Sequence, residues 1–227
     1  VIVDTLVSVG LIGIISIRDL LKYFDDNKIH VDEMIGKSVG AIGASAYMVL
    51  KQEFIEHPER FEGLKGPAHK LEYILSKNTN LLRFFSWQEI LLTKKGEPPK
   101  KGFIDTRPIE EFLKRIVEER TFNDVPGLCI VAHSLGTRED IIFGEVRKDY
   151  PIWKAVMASI AIPGGIGYVK DNGDILVDGA TLRKSPLREL YTHELDLSIS
   201  DILGYHTEIQ QIKDNETKVN GYKGMNP

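Results

Sequence analysis

Ile35-Gly36-Lys37-Ser38-Val39-Gly40-Ala41 is the stretch on which the fold turns. Upstream of it, Ile29 to Ile35 reads as a buried strand. Downstream, Ser38 to Phe54 reads as a helix rich in small residues (Ala41, Gly43, Ala44, Ser45, Ala46). Between them stands the pattern G-x-S-x-G. A serine on a tight strand-to-helix turn is pushed out of the sheet edge, and Gly36 and Gly40 permit strained backbone angles and a close strand–helix approach. The serine then sits at a helix N-terminus, where exposed amides and the helix dipole favour a developing negative charge. The plainer reading is an N-cap serine between two glycines, and the pattern alone does not choose between them.

The surroundings extend the same architecture. Val1 to Val9 reads as a strand ended by Gly10, and Ile14 to Phe24 carries Ile14, Ile17, Leu20, Leu21 and Phe24 at helical spacing. Strand, helix, strand, helix makes a βαβ unit with parallel strands. Farther on, Leu71 to Leu92 is helical in pieces and Thr93 to Gly102 is a loop. Pro108 to Arg120 is a helix with Ile109, Phe112, Leu113, Ile116 and Val117 on one face. Leu128 to Ala132 and Ile141 to Val146 are strands, Trp153 to Ile160 a short helix, and Ile175 to Val177 a strand. One domain over residues 1–215 and a loose polar tail over 216–227 are expected.

Composition narrows the class. The chain has 227 residues, 42% hydrophobic and 27% charged, which suits one large globular domain and excludes wholesale disorder. A formal net charge of −4 argues against a general nucleic-acid binder. The single cysteine, Cys129, excludes an internal disulfide, suits a reducing, cytoplasmic compartment, and reads as an inert core residue. The apolar window Val1 to Ile17 is too short to span a bilayer, and no basic first region or small-residue cleavage site marks a secretory signal. No spaced cluster of His, Asp or Glu suggests a metal site.

Two decoys fall away. Gly36-Lys37-Ser38 imitates the end of a phosphate-binding loop, but Val31 stands where that motif needs its first glycine. Ala132-His133-Ser134-Leu135-Gly136 imitates a hydrolase elbow, but turn residues and a new strand follow Ser134 where a helix is required. A nucleophilic serine needs a base. The histidines (His30, His57, His69, His133, His193, His206) lie in no tight motif and read as surface or turn residues. Asp178, in Val177-Asp178-Gly179-Ala180 after an apolar strand, can present a carboxylate at the same sheet edge as Ser38, or be a plain turn.

With these segments in hand, the chain resembles the patatin-like phospholipase family over roughly residues 1–200. The resemblance is carried, in the family's order, by Ser8-Val9-Gly10-Leu11-Ile12-Gly13, by Gly36-Lys37-Ser38-Val39-Gly40-Ala41, by Ala158-Ser159-Ile160-Ala161-Ile162-Pro163 and by Asp178-Gly179-Ala180. The turn Gly102-Phe103-Ile104-Asp105 also fits. The resemblance implies an α/β fold: three layers, α/β/α, with a mainly parallel central sheet. It also implies a Ser-Asp dyad without a catalytic histidine, with Ser38 as nucleophile and Asp178 as proton acceptor. Backbone amides around Gly10, Leu11, Ile12 and Gly13 would form the oxyanion hole, and Gly36 and Gly40 would shape the elbow. The implied substrates are acyl esters of phospholipids, lysophospholipids and neutral lipids, cleaved through an acyl-serine intermediate with no cofactor.

The chain departs from that family pattern in the first turn. Val7, Ser8 and Val9 replace glycines, and Ile12 stands where Lys or Arg is expected. Lys37 also replaces the usual small polar residue beside the nucleophile. The alternative that these departures favour is a catalytically weak lipid-binding protein on the same scaffold. Leu81-Leu82-Arg83-Phe84-Phe85-Ser86-Trp87 beside Lys94, Lys95, Lys100 and Lys101 reads first as a core helix and a solvated loop, and second as a peripheral membrane contact. Pro163-Gly164-Gly165-Ile166-Gly167 is a turn that either borders the acyl pocket or is only a loop.

Overall fold

The computed structural model describes residues 2–6, 11–77, 106–179 and 202–206. In chain order these form β1 (Ile2–Leu6), α1 (Leu11–Asp26), β2 (Glu33–Lys37) and α2 (Val39–Glu56). A 3-10 turn at Pro58–Phe61, α3 (Pro67–Lys77) and α4 (Arg107–Val117) follow. Then come β3 (Leu128–Ser134), β4 (Asp140–Phe143), α5 (Ile152–Ser159), β5 (Val169–Asp171), β6 (Asp174–Asp178) and β7 (Ile202–His206). The strands make one sheet in the order β5-β6-β3-β2-β1-β7, with β4 also paired to β3.

The register around β3 decides where the sheet edges meet. β2 runs parallel to β3 and its pairing ends with Lys37 opposite Val131. β6 runs antiparallel to β3 and ends with Asp178 opposite Ala132. β4 pairs with both of those β3 residues, Ile142 with Val131 and Ile141 with Ala132. A strand residue has only two lateral neighbours in a sheet, so β2 and β6 lie on the same side of β3, and β4 lies on the other. Their C-terminal ends therefore converge on one point, between Val131 and Ala132.

The alternation of side chains sorts the two faces. Met34, Leu128, Ile130, Ala132, Phe143 and Leu176 face one hydrophobic core shared with α1 to α5. Ile35, Lys37, Val131, His133, Ile142 and Val177 point to the other face and are buried as well, so the sheet is the middle of a three-layer α/β/α sandwich. α2 lies deepest. Its residues Val39 to Leu50 are all buried, as expected where a helix carries small and apolar side chains all round, and the largely polar run from Lys51 to Glu56 ends it at the margin. Gly43 lets α1 approach, since a Cβ there would meet Ile17 Cγ2 at 2.9 Å. The α4 stripe falls as its periodicity predicts, with Ile109, Phe112, Leu113 and Val117 buried and Ile116 at the margin.

Several sequence expectations shift. The sheet is mixed with most strands running one way: β7, β1, β2 and β3 pair in parallel, β4 and β6 pair antiparallel to β3, and β5 pairs antiparallel to β6. β2 starts and ends later than expected. Val31, 1% exposed, packs under α2 while its carbonyl accepts from Lys51, and pairing on both sides carries the strand on through Gly36 and Lys37. α1 begins at Leu11, before Ile14. β5 and β7 were not anticipated. The expected features at residues 7–10, 78–105, 180–201 and 207–227 lie outside the described residues, including Leu81 to Trp87, the lysine loop, Gly102 to Asp105, His193 and the tail.

α5 is braced by a charged cluster. The buried Asp171 carboxylate accepts from Arg147, from Tyr150 Oη at 3.1 Å and from Lys154 Nζ at 3.2 Å. Burial pushes this carboxyl up, but the hydrogen bonds from Arg147, Lys154 and Tyr150 outweigh it and hold it below the usual carboxylate range. A depressed folded-state pKa contributes stability that is complete above the unfolded value, about pH 4, and is lost as pH falls through the folded one. Asp171→Asn is therefore expected to lower stability at pH 7 and to flatten its loss below about pH 4, read by urea titrations at pH 7 and pH 3. At Gly36 an added Cβ meets the Ala41 Cα at 2.6 Å. Gly36→Ala is expected to cost about 1–3 kcal/mol in urea unfolding. Gly165→Ala, whose nearest neighbour is 3.7 Å away, should stay within about 0.5 kcal/mol of the parent.

Candidate active site

Ser38 occupies the turn from β2 into α2 with φ 54° and ψ −134°. A side-chain-bearing residue rarely adopts positive φ, and where the surrounding structure enforces it the site is usually a functional one. Part of the enforcement is local. Gly36 leaves no room for a Cβ against Ala41, Ala44 and the Gly40 carbonyl, so strand and helix meet at backbone distance. The Ala41 N–H donates to the Ser38 carbonyl at 2.9 Å.

The Ser38 hydroxyl does not cap α2. It donates instead to Asp178 Oδ2 at 2.6 Å, across 140 positions of chain. The N-cap reading of this serine is thereby set aside. The contact follows from the register, since β2 and β6 arrive end to end on one flank of β3. Gly179 lets β6 stop there, because a Cβ on it would sit 2.4 Å from the Val131 carbonyl. Both side chains are shielded, Ser38 at 6% exposure and Asp178 at 3%. A short hydrogen bond from a hydroxyl to a shielded carboxylate is the geometry from which a carboxylate can remove the hydroxyl proton.

The segment Ala158 to Pro163 supplies contacts that the sequence did not assign. Ser159 Oγ accepts from the Ser38 N–H at 2.9 Å and donates to the Val131 carbonyl at 2.6 Å. The Ser159 carbonyl accepts from the Gly179 N–H at 3.3 Å, and the Ala161 carbonyl from the Asp178 N–H at 2.9 Å. Nothing in a serine near the end of a short helix signals that it will touch a turn 121 residues away.

The remaining expected site residues fall as follows. Leu6 of β1 lies opposite Lys37, so the chain leaves β1 at the same sheet edge as Ser38. Leu11, Ile12 and Gly13 form the start of α1, whose first-turn amides have no intrahelical acceptor. Gly10 lies outside the described residues. Gly40 is the second residue of α2. Lys37 does not reach toward the hydroxyl as its sequence position suggested. Its side chain points to the other sheet face, fully buried, with Nζ 3.6 Å from Asp140 Oδ2.

His133 is no surface residue. It is 3% exposed and its Nδ1 lies 2.8 Å from Asp140 Oδ1. Ser134 is occupied by turn chemistry, donating to Asp174 Oδ2 and accepting from the Thr137 N–H, in a β3–β4 hairpin with no helix after it. Cys129 is partly exposed rather than core, and burial pushes its thiol up to about 12, far from thiolate at neutral pH. Among the described residues no group of His, Cys, Asp or Glu could hold a metal ion, and no helix is long and apolar enough to cross a membrane.

A family model described as patatin-like phospholipase matches residues 19–191. No curated protein matches the chain. Among solved structures, VipD from Legionella pneumophila is similar at 13% identity with a TM-score of 0.43, over 96% of this chain and 52% of VipD. The chain thus spans about half the length of that structure.

The Lys37–Asp140 pair yields a stability test. Lys37→Met takes the cation away from the buried Asp140 Oδ2 while His133 stays on Oδ1, and is expected to cost about 3–5 kcal/mol in urea unfolding. Adding Asp140→Asn should recover part of that loss, so that the double variant is more stable than the sum of the singles predicts.

Proposed function

The chain belongs to the patatin-like phospholipase family, and from that membership and the Ser38–Asp178 contact we propose that it is a serine acyl hydrolase cleaving carboxylic esters of lipids. Family membership points to lipid acyl hydrolysis. The observation that carries the assignment to residues is the 2.6 Å hydrogen bond from a strained serine to a buried aspartate.

In this reading Asp178 accepts the Ser38 proton as Oγ attacks the ester carbonyl carbon. The carbonyl π electrons move onto oxygen, giving a tetrahedral oxyanion. The amides of the first turn of α1, Leu11 to Gly13 with Gly10 before them, are the proposed donors to it, each worth about 3–4 kcal/mol in comparable sites. The Ser38 N–H is not among them, because Ser159 holds it. Collapse of the oxyanion expels the alcohol, which takes the proton from Asp178, and leaves an acyl-Ser38 ester. Water then attacks that ester and passes its proton to Asp178. The acid leaves, and the proton returns to Ser38 Oγ. The substrate class is a phospholipid, lysophospholipid or acylglycerol. The proposed domain spans residues 1–215.

The competing reading, a lipid-binding protein with little catalysis, is favoured by Val7, Ser8 and Val9 in place of glycines and Ile12 in place of a cation. The two separate on hydrolysis of p-nitrophenyl esters and phospholipid vesicles together with labelling by a fluorophosphonate. Wild type is expected to cleave and to label at Ser38. Ser38→Ala should do neither, and Asp178→Asn should lower kcat by about 10²–10⁴-fold. Wild type no faster than Ser38→Ala, and unlabelled, overturns the enzymatic reading in favour of the binding one.

A further inference from the structure

The β2–β3 ladder stops with Lys37 opposite Val131, and one step beyond it stands an unusual junction. The Ser38 N–H and the Val131 carbonyl are joined through the Ser159 hydroxyl, which accepts from one at 2.9 Å and donates to the other at 2.6 Å. A hydroxyl has one proton to give. With that proton committed to Val131, the direction of both bonds is set, and each polarises the other. Ser159 is fully buried, so water does not compete for either partner.

We propose that Ser159 is a positioning residue that holds the Ser38 backbone in the orientation presenting Oγ to Asp178. The proposal rests on Ser38 being the nucleophile. Three features of the structure support it. Ser38 carries a positive φ of 54°, a state that persists only where neighbours enforce it, and its amide is tied to Ser159. The hydroxyl spacer sits where β2 leaves β3 and β6 takes over the same flank, so it marks the point at which the two carriers of the site part company. The same short segment also grips the other side of the site, through the Ser159 carbonyl to Gly179 and the Ala161 carbonyl to Asp178. One turn of chain, at the end of α5, thereby references both Ser38 and Asp178 to a single frame.

Removing the hydroxyl leaves the Ser38 N–H and the Val131 carbonyl without the group between them. Ser159 is fully buried, so its hydroxyl offers no surface to a substrate and the variant leaves ground-state binding untouched. The loss falls on alignment in the reacting state, where a displacement of about 1 Å costs about 10²-fold.

The test is Ser159→Ala, measured three ways beside wild type. Active sites are titrated with a fluorophosphonate. kcat and KM for a p-nitrophenyl ester are then taken per titrated site, and amide hydrogen exchange is followed at Ser38 and Ile35. Expected are a kcat per site lower by about 10–100-fold, a KM within twofold, and faster exchange at Ser38 with Ile35 unchanged. An unchanged kcat per site, with loss confined to the number of titratable sites, shows a merely structural serine and overturns the proposal. Unchanged exchange at Ser38 overturns it independently of any activity. Wild type that neither labels nor cleaves removes the nucleophile reading instead, a result distinct from either.

Discussion

The whole arrangement depends on β3 offering one flank to two strands. β2 comes up that flank in parallel and stops at Val131, and β6 comes down it antiparallel and stops at Ala132. Neither strand carries reactive chemistry in its interior. The chemistry lies where both run out, because a strand end is where a backbone is free to turn and a side chain to leave the plane of the sheet. The hydrogen bond between Ser38 and Asp178 is thus a product of sheet topology before it is a product of residue choice. Gly36 and Gly179 are part of that topology, each bare of Cβ where another backbone passes within van der Waals contact.

The two faces of the sheet are used differently around this point. On the helical face, α2 and α5 close over the junction with apolar side chains and the Ser159 hydroxyl. On the other face, Lys37, Asp140 and His133 form a buried polar cluster directly behind the turn. Burying a lysine is costly unless it is paired. The pairing bridges β2 to β4 across β3, so it holds the end of β2 from behind while Ser159 holds it from the front.

How much of this could be read in the sequence varies by residue. The α4 stripe and the small-residue first part of α2 were legible, because burial is imposed on one element at a time and leaves its own pattern. So was the pairing of β1 with β2, which a βαβ unit dictates. The direction of β4 and β6 beside β3 was less so, since an apolar run of four or five residues has no polarity written into it. β5 is three residues long with a lysine at its centre, and β7 has a glycine at its middle, so neither shows a strand pattern. Ser38 and Asp178 could be named because their glycines punctuate strand ends. Lys37 stands next to Ser38 in the sequence yet turns away from it, because neighbouring strand residues point to opposite faces and a buried carboxylate on β4 faces it there. Ser159 has no role legible in its motif, because its partners are backbone atoms of distant residues, and backbone atoms leave no mark on composition.

The opposed running directions of β2 and β6 make the site sensitive to strand length in an unusual way. Adding or removing one residue in β6 would turn its last side chain through the pleat to the opposite face. Asp178 would then leave the helical side and arrive among Lys37 and His133, where a carboxylate is drawn into a salt link rather than toward a hydroxyl. Single-residue insertions and deletions between Asp174 and Gly179 are therefore far less tolerable here than most point substitutions, although this short hairpin strand would look like a permissive place for them.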